Sequence, residues 1–157
     1  MRAAESGGVM DLHIHDIDVA LWWFGRPRSI VVAGRIRDHL PLILDGLWTY
    51  ENGLSAHLHG AWDPNGGLFQ HTFRLVLERA TLLYDLLAAP DSLRILHNGK
   101  TMDVPMDKAN VHQAELDDFA ASINAGRPVQ RVTPAESRLA VEVGQEELDQ
   151  LSARQPG

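Results

Sequence analysis

The chain has 157 residues, 45% of them apolar and 22% charged, with a formal net charge of −7 and no cysteine. This length suits one domain, 1–157, with a real core and is short for two. The acidic balance argues against a nucleic-acid or anionic-membrane binder, which needs Lys and Arg, and the lack of cysteine excludes a disulfide framework, a thiolate zinc site and a cysteine nucleophile.

No apolar run approaches the roughly 18 residues of a membrane span. The opening MRAAESGG lacks the apolar core of a signal peptide. A cytoplasmic location is expected.

In chain order, residues 7–25 (GGVMDLHIHDIDVALWWFG) come first and hold the densest set of reactive groups. At about 100° per residue they sort into two helical faces. Met10, Ile14, Ile17, Leu21 and Phe24 make an apolar stripe. Asp11, His15, Asp18 and Trp22 fall within about 60° of one another on a second face. Gly25 sits where a left-handed residue ends a helix, and Pro27 follows.

The period then changes. Residues 28–37 (RSIVVAGRIR) are β-branched and read as a strand. Residues 39–41 read as a break. Residues 42–50 form a second strand, with Gly46 a candidate bulge. Asn52-Gly53 predicts a type I′ hairpin into residues 54–62, with His57 and His59 on one face and Ala56, Leu58 and Gly60 on the other. Residues 63–67 (DPNGG) are a loop.

Residues 69–78 read as a further strand and 81–87 as another, although the leucines of 81–87 also fit a helix. Residues 93–97 and 102–106 flank a second Asn-Gly turn at Asn98-Gly99. The count is seven short strands joined by tight turns, hence mostly antiparallel. Residues 111–125 are a helix with a Val111, Leu116, Phe119, Ile123 stripe and Gly126 as its stop. Thr133-Pro134-Ala135-Glu136 is a capping box that starts a last helix reaching about Leu151. The tail, 152–157, is expected to fray. The predicted fold is α+β, an open, mostly antiparallel sheet with helices packed on one side.

Asp11 and His15, one helical turn apart, suit proton abstraction from a hydroxyl, because an imidazole titrates near neutral pH and a neighbouring carboxylate favours its charged form. The plainer alternative makes Asp11 a helix cap and His15 and Asp18 solvated surface groups. A third reads Asp11-Leu12-His13-Ile14-His15 as the D-x-H-x-H metal signature of amidohydrolases. On a helix, His13 and His15 diverge by about 160° and cannot share an ion. That signature also belongs to a TIM barrel of roughly 250 residues. His57 and His59 read as solvated strand histidines before they read as ligands. Trp48 and Trp62 read as core.

Residues 7–25 closely resemble the G-G-x-x-x-D-x-x-x-H-x-x-D-x-x-x-W-x-x-G segment of the Gfo/Idh/MocA oxidoreductases, NAD(P)-dependent dehydrogenases of sugars, polyols and related hydroxy compounds. The hairpin LWTYENGLSAHLHGAW and the ending AELDDFAASINAGRPVQRVTPAESRLAVEV resemble the same family. The resemblance makes Asp11 and His15 the catalytic pair, His15 transferring the proton. Asp18 matches a frequent third acidic position of the family, and Trp22, on the face of His15, is the candidate for lining a pocket, so both are expected to bind the substrate. The family's Gly-Thr-x-Gly turn is replaced here by Arg79-Ala80-Thr81.

The chain lacks the family's Rossmann half, with its G-x-G-x-x-G loop and catalytic lysine. That half would add on the order of 100 to 150 residues. The chain therefore resembles the C-terminal, substrate-binding and oligomerisation domain alone. NAD or NADP is implied for the full-length enzyme. The chain by itself is expected to bind neither and to turn nothing over. The expected partners are a small sugar or polyol and a second copy of the chain through the sheet face. The alternatives are a non-catalytic dimerisation module of the same fold and a metal-dependent amidohydrolase-like fragment.

Overall fold

Alternating inward and outward residues build the first sheet. A computed structural model describes residues 9–62, 67–106 and 110–154. Gly7, Gly8, the centre of the expected loop at 63–66 and the last three residues of the expected frayed tail lie outside the described residues. Helix α1 is Met10–Phe24. Strands β1 (Ser29–Arg37), β2 (Leu40–Thr49) and β3 (Ser55–Ala61) form an antiparallel sheet in that order. Strands β4 (Thr72–Val76), β5 (Thr81–Asp85), β6 (Ser92–His97) and β7 (Lys100–Pro105) form a second antiparallel sheet, also in chain order. Helices α2 (Val111–Asn124) and α3 (Pro134–Arg154) close the chain. The seven expected strands are thus present but divided between two sheets.

The chain comprises two compact units, Met1–Gly66 with Gln130–Gly157, and Gly67–Val129. In the first, α1 and α3 pack on one face of the three-stranded sheet. Ile30 and Val32 of β1, Leu42, Leu44 and Trp48 of β2 and Leu58 of β3 point inward and are buried. All of these except Leu42 meet Ile17 and Ala20 of α1 and Ala140, Val143 and Leu151 of α3 in one core.

Four local expectations change. Residues 39–41 do not break the sheet. Asp38 and His39 take left-handed φ angles of 51° and 65° and make a tight turn from Arg37 to Leu40. The ladder slips by one residue between Arg35 and Ile36, opposite Pro41, which has no N–H to give. Gly46 pairs regularly with Val32 and Leu58, so the irregularity lies there and not at Gly46. In the Asn52-Gly53 hairpin only Gly53 has positive φ, 83°. Tyr50 O accepts from Gly53 N at 3.2 Å and Leu54 O from Tyr50 N at 3.0 Å. A three-residue loop replaces the type I′ turn. Asn98 (49°) and Gly99 (69°) do supply the paired positive angles of a type I′ turn. Finally, α3 continues to Arg154, whose Nη1 donates to Val32 O at 2.7 Å.

In the second unit, cross-strand register puts Phe73, Leu75, Leu82, Tyr84, Ile95 and Met102 on one face. Arg94 and its partner Asp103 share the other through a two-point ion pair of 2.8 and 3.1 Å. Asn110 caps α2 by accepting from His112 N at 3.1 Å and Gln113 N at 3.4 Å. Leu116, Phe119 and Ile123 of α2 are each more than half exposed. The α3 capping box forms as its sequence predicts: Glu136 Oε2 accepts from Thr133 N at 2.6 Å, and Thr133 Oγ1 accepts from Glu136 N at 3.3 Å.

Candidate functional site

Helix α1 turns one side to the core and the other to the surface. Asp11 and His15 are exposed, Asp18 is half-buried, and Trp22 is 77% exposed. They occupy one face over about 16 Å of helix rise. None of the four side chains makes a hydrogen bond or ion pair among the described residues. Two acids, an imidazole and an indole are therefore available to a ligand, while the fold spends none of their polar capacity on itself.

What fixes that face is the residue between the pair. His13 is fully buried, and its Nε2 lies 2.9 Å from Glu147 Oε2 of α3. Trp48 Nε1, also fully buried, donates to Glu147 Oε1 at 2.6 Å. Asp16 Oδ2 stands 3.7 Å from His13 Nδ1. That is a charge–charge distance, so Glu147 is the group that anchors the ring. Burial alone would lower the His13 pKa. The carboxylates of Asp16 and Glu147 reverse this and raise it to about 9. His13 is accordingly an imidazolium at neutral pH.

The clasp needs room from both neighbouring strands. A Cβ at Gly46 would come within 2.5 Å of Glu147 Oε1, and one at Gly60 within 2.8 Å of Val9 Cγ2 and 3.1 Å of His13. The sequence shows His13 only as a residue pointing away from His15. Glu147, the group that anchors it, is 134 positions away along the chain, and no local spacing announces it. The buried sector of α1 is accordingly His13, Ile17 and Ala20, with Met10, Ile14 and Leu21 at its margin.

Because His13 is buried on Glu147 and His15 is exposed, the two cannot chelate one ion. Among the described residues no group of three His, Asp or Glu is arranged to hold a metal. His57 and His59 are exposed on the outer face of the three-stranded sheet. Both bond Asp45 Oδ1, at 3.1 and 2.7 Å. Partial burial pushes the Asp45 carboxyl up, but the bonds from His59 and His57 hold it below its ordinary value. The cross-strand pairing of Asp45 with His59 is the signal that would have found this trio. Val31 and Leu47 share that face, each 47% exposed.

One groove adjoins the α1 face. It has a volume of about 370 Å³ and is lined by Met10, Asp11 and Ile14 of α1 and Val141, Gln145 and Leu148 of α3. Asp11 is the predicted site residue that borders it.

Comparison with known proteins follows the same lines. A sequence profile described as the GFO/IDH/MocA C-terminal domain matches residues 1–83. The fold is similar to UDP-N-acetylglucosamine 3-dehydrogenase GnnA from Acidithiobacillus ferrooxidans, with TM-score 0.82 and 24% identity over 97% of this chain and 49% of that one. It is similar to biliverdin reductase from Synechocystis sp. PCC 6803, solved with biliverdin and NADP+, with TM-score 0.75 and 14% identity over 96% and 48%. It is similar to a 3-ketoreductase from Actinomadura kijaniata, solved with TDP-benzene and NADP, with TM-score 0.67 and 15% identity over 93% and 46%. The chain thus spans about half the length of these structures. No curated protein matches it significantly. Among the described residues no helix is long and apolar enough to cross a membrane.

Proposed function

Since the chain belongs to the GFO/IDH/MocA family through the C-terminal domain that it carries, we propose that it is the substrate-binding and acid–base half of an NAD(P)-dependent oxidoreductase acting on a sugar, polyol or related hydroxy compound. The observation that carries this reading is the exposed face of α1, where Asp11 and His15 stand one turn apart with no partner among the described residues. Two structural relatives, a UDP-N-acetylglucosamine 3-dehydrogenase and a 3-ketoreductase, support carbinol–carbonyl chemistry.

The described residues do not fit a nicotinamide dinucleotide. Every strand pairing among them is antiparallel. A dinucleotide cradle instead needs a glycine-rich turn between a strand and a helix of a parallel unit. NAD or NADP therefore pertains to the longer enzyme, and the chemistry assigned to this chain is the proton. His15 accepts the proton of the substrate hydroxyl as the carbon is oxidised. Asp11, one helical turn away, accepts a hydrogen bond from the substrate. Asp18 and Trp22 line the same face, Trp22 offering a flat apolar surface.

The test is a fusion of this chain to the dinucleotide-binding half of the Acidithiobacillus ferrooxidans relative, followed by nicotinamide absorbance with candidate sugars. Replacing His15→Ala should lower kcat by about 10²- to 10⁴-fold, the usual worth of a positioned acid or base. Unchanged turnover in that variant would remove His15 from the chemistry.

A second reading rests on a separate observation. Val31 and Leu47 expose apolar surface on the open side of the first sheet, which suits self-association of two copies through that face. Light scattering that finds a monomer at high concentration would remove it.

A further inference from the structure

The outer face of the first sheet carries a cluster that the proton-transfer reading does not use. Helices α1 and α3 pack on the opposite face. Val31, Leu47 and His57 form one outward cross-strand row, Asp45 and His59 belong to the next, and Arg35 follows on β1. The side chains of His57 and His59 are 62% and 56% exposed, so water and a partner both reach them.

The geometry fixes where a proton can arrive. His57 Nε2 lies 3.1 Å and His59 Nδ1 2.7 Å from the same oxygen, Asp45 Oδ1. A carboxylate only accepts, so both nitrogens carry hydrogen and donate. The second nitrogen of each ring, His57 Nδ1 and His59 Nε2, has no partner among the described residues and is the one that gains a proton. Protonation therefore adds charge and leaves both bonds to Asp45 in place. Imidazole is the side chain whose charge changes between about pH 5 and 8. Asp45, whose carboxyl is held below its ordinary value, stays ionised across that range. The other charged groups on the strands of this face are Arg35 and Arg37 of β1, both exposed and neither in an ion pair among the described residues. Asp38 and His39 stand in the turn at one end of the sheet, and Glu51 in the hairpin at the other. Two arginines against one carboxylate give the strands of this face a charge of +1 with both rings neutral and +3 with both protonated.

A second copy fits this face because the face is complementary to itself. A two-fold contact sets residue i of one copy on residue j of the other, and j on i. One carboxylate and one unpaired cation on the same face, Asp45 and Arg35, then meet twice beside the apolar Val31 and Leu47. We infer that the outer face of the first sheet is a proton-gated interface between two copies of the chain, closed while His57 and His59 are neutral and opened when they become charged. The inference rests on self-association through this face and adds its regulation. Raising each face from +1 to +3 multiplies the product of the two facing charges about ninefold. Across about 10 Å at about 0.1 M salt, that difference weakens the pair about tenfold. Whole-chain electrostatics predict the opposite sign. The net charge of −7 shrinks as the eight histidines protonate, which by itself favours association.

The test is the dimer dissociation constant of the chain, measured by sedimentation equilibrium at about pH 8 and about pH 5.5, each at about 0.1 M and about 1 M salt. At the lower salt the constant should rise about tenfold on acidification, and at the higher salt it should change little. The double variant His57→Gln with His59→Gln keeps an amide donor for Asp45 and removes the titration. It should hold the alkaline constant of the wild type at both pH values. Leu47→Asp, at an exposed position, should abolish association at both, with circular dichroism confirming the fold of each variant. A constant that is unchanged or tighter in acid overturns the gate and leaves self-association through this face standing. A double variant that keeps the full response does the same. A wild type that is monomeric at every pH, or a Leu47→Asp chain that still dimerises, removes the interface and the gate together. The measurement needs no cofactor, substrate or turnover, so its outcome is independent of the role of His15.

Discussion

Replacing Glu147→Leu should unfold much of what holds the α1 face in place. Glu147 accepts from two fully buried donors, Trp48 Nε1 at 2.6 Å and His13 Nε2 at 2.9 Å. The leucine fills a similar volume but leaves an imidazolium and an indole N–H without an acceptor. Breaking a buried ion pair by deleting one partner costs about 3–5 kcal/mol, a large share of the roughly 5–15 kcal/mol that keeps a domain folded. Glu147→Gln separates the two contacts. Its carbonyl oxygen still accepts from Trp48, and its amide can donate to a neutral His13, so the loss should be smaller, about 1–3 kcal/mol. The pH dependence distinguishes the cases. The folded-state pKa of His13 is raised from 6.5 to about 9. Its stabilising contribution is thus complete below about pH 6.5 and is lost as pH rises through about 9. The size is on the order of 3 kcal/mol, in line with the ion-pair figure. Urea denaturation followed through tryptophan emission, repeated from neutral to alkaline pH, measures both effects. The wild type should lose stability across that window, and Glu147→Gln should lose most of the dependence. A cost below about 1 kcal/mol for Glu147→Leu, or an unchanged pH profile in Glu147→Gln, would refute the clasp.

Gly60→Ala should destabilise by about 1–3 kcal/mol, because the new methyl lands 2.8 Å from Val9 Cγ2 and 3.1 Å from the His13 ring; the urea midpoint reads it. Thr133→Ala removes the hydroxyl that accepts from Glu136 N and donates to Glu136 Oε2 at 2.8 Å, and should cost about 1 kcal/mol by thermal unfolding. For Asp45→Asn the sign is opposite to that of His13. The folded pKa of Asp45 is lowered by His59 and His57, so its contribution is present above about pH 4 and fades as pH falls further. Acid titration of stability should flatten in the variant.

Periodicity exposed a large part of this architecture. The helical period of α1, the Asn98-Gly99 turn, the seven strands and the Thr133–Glu136 box follow from spacings of a few residues, where sequence and space coincide. The missed features are those in which distant residues decide. His13 reads only as a residue pointing away from His15 until Glu147, 134 positions later, is brought beside it. Asp45 acquires its meaning only through its register with His59 across a hairpin. Pro41 inside a central strand contradicts local propensity, and a slipped ladder accommodates it. The division of seven strands into two sheets has no local signature either, because each hairpin looks alike whichever sheet it joins.

These two kinds of feature depend on each other at the candidate site. A helical wheel fixes the angle between His13 and His15 but not which of them faces outward. The apolar stripe of Met10, Ile14, Ile17, Leu21 and Phe24 favours one orientation, yet the sector that is fully buried is His13, Ile17 and Ala20. Burying the imidazole is costly unless a carboxylate receives it. Glu147 does so, and Gly46 and Gly60 leave the space for the pair. Removing that acceptor would favour a rotation of α1 that returns His13 to water and carries Asp11 and His15 away from their common outward direction. The legible pair is thus aimed by an illegible one. This is why a substitution at Glu147 should disturb the α1 face even though its side chain touches neither Asp11 nor His15.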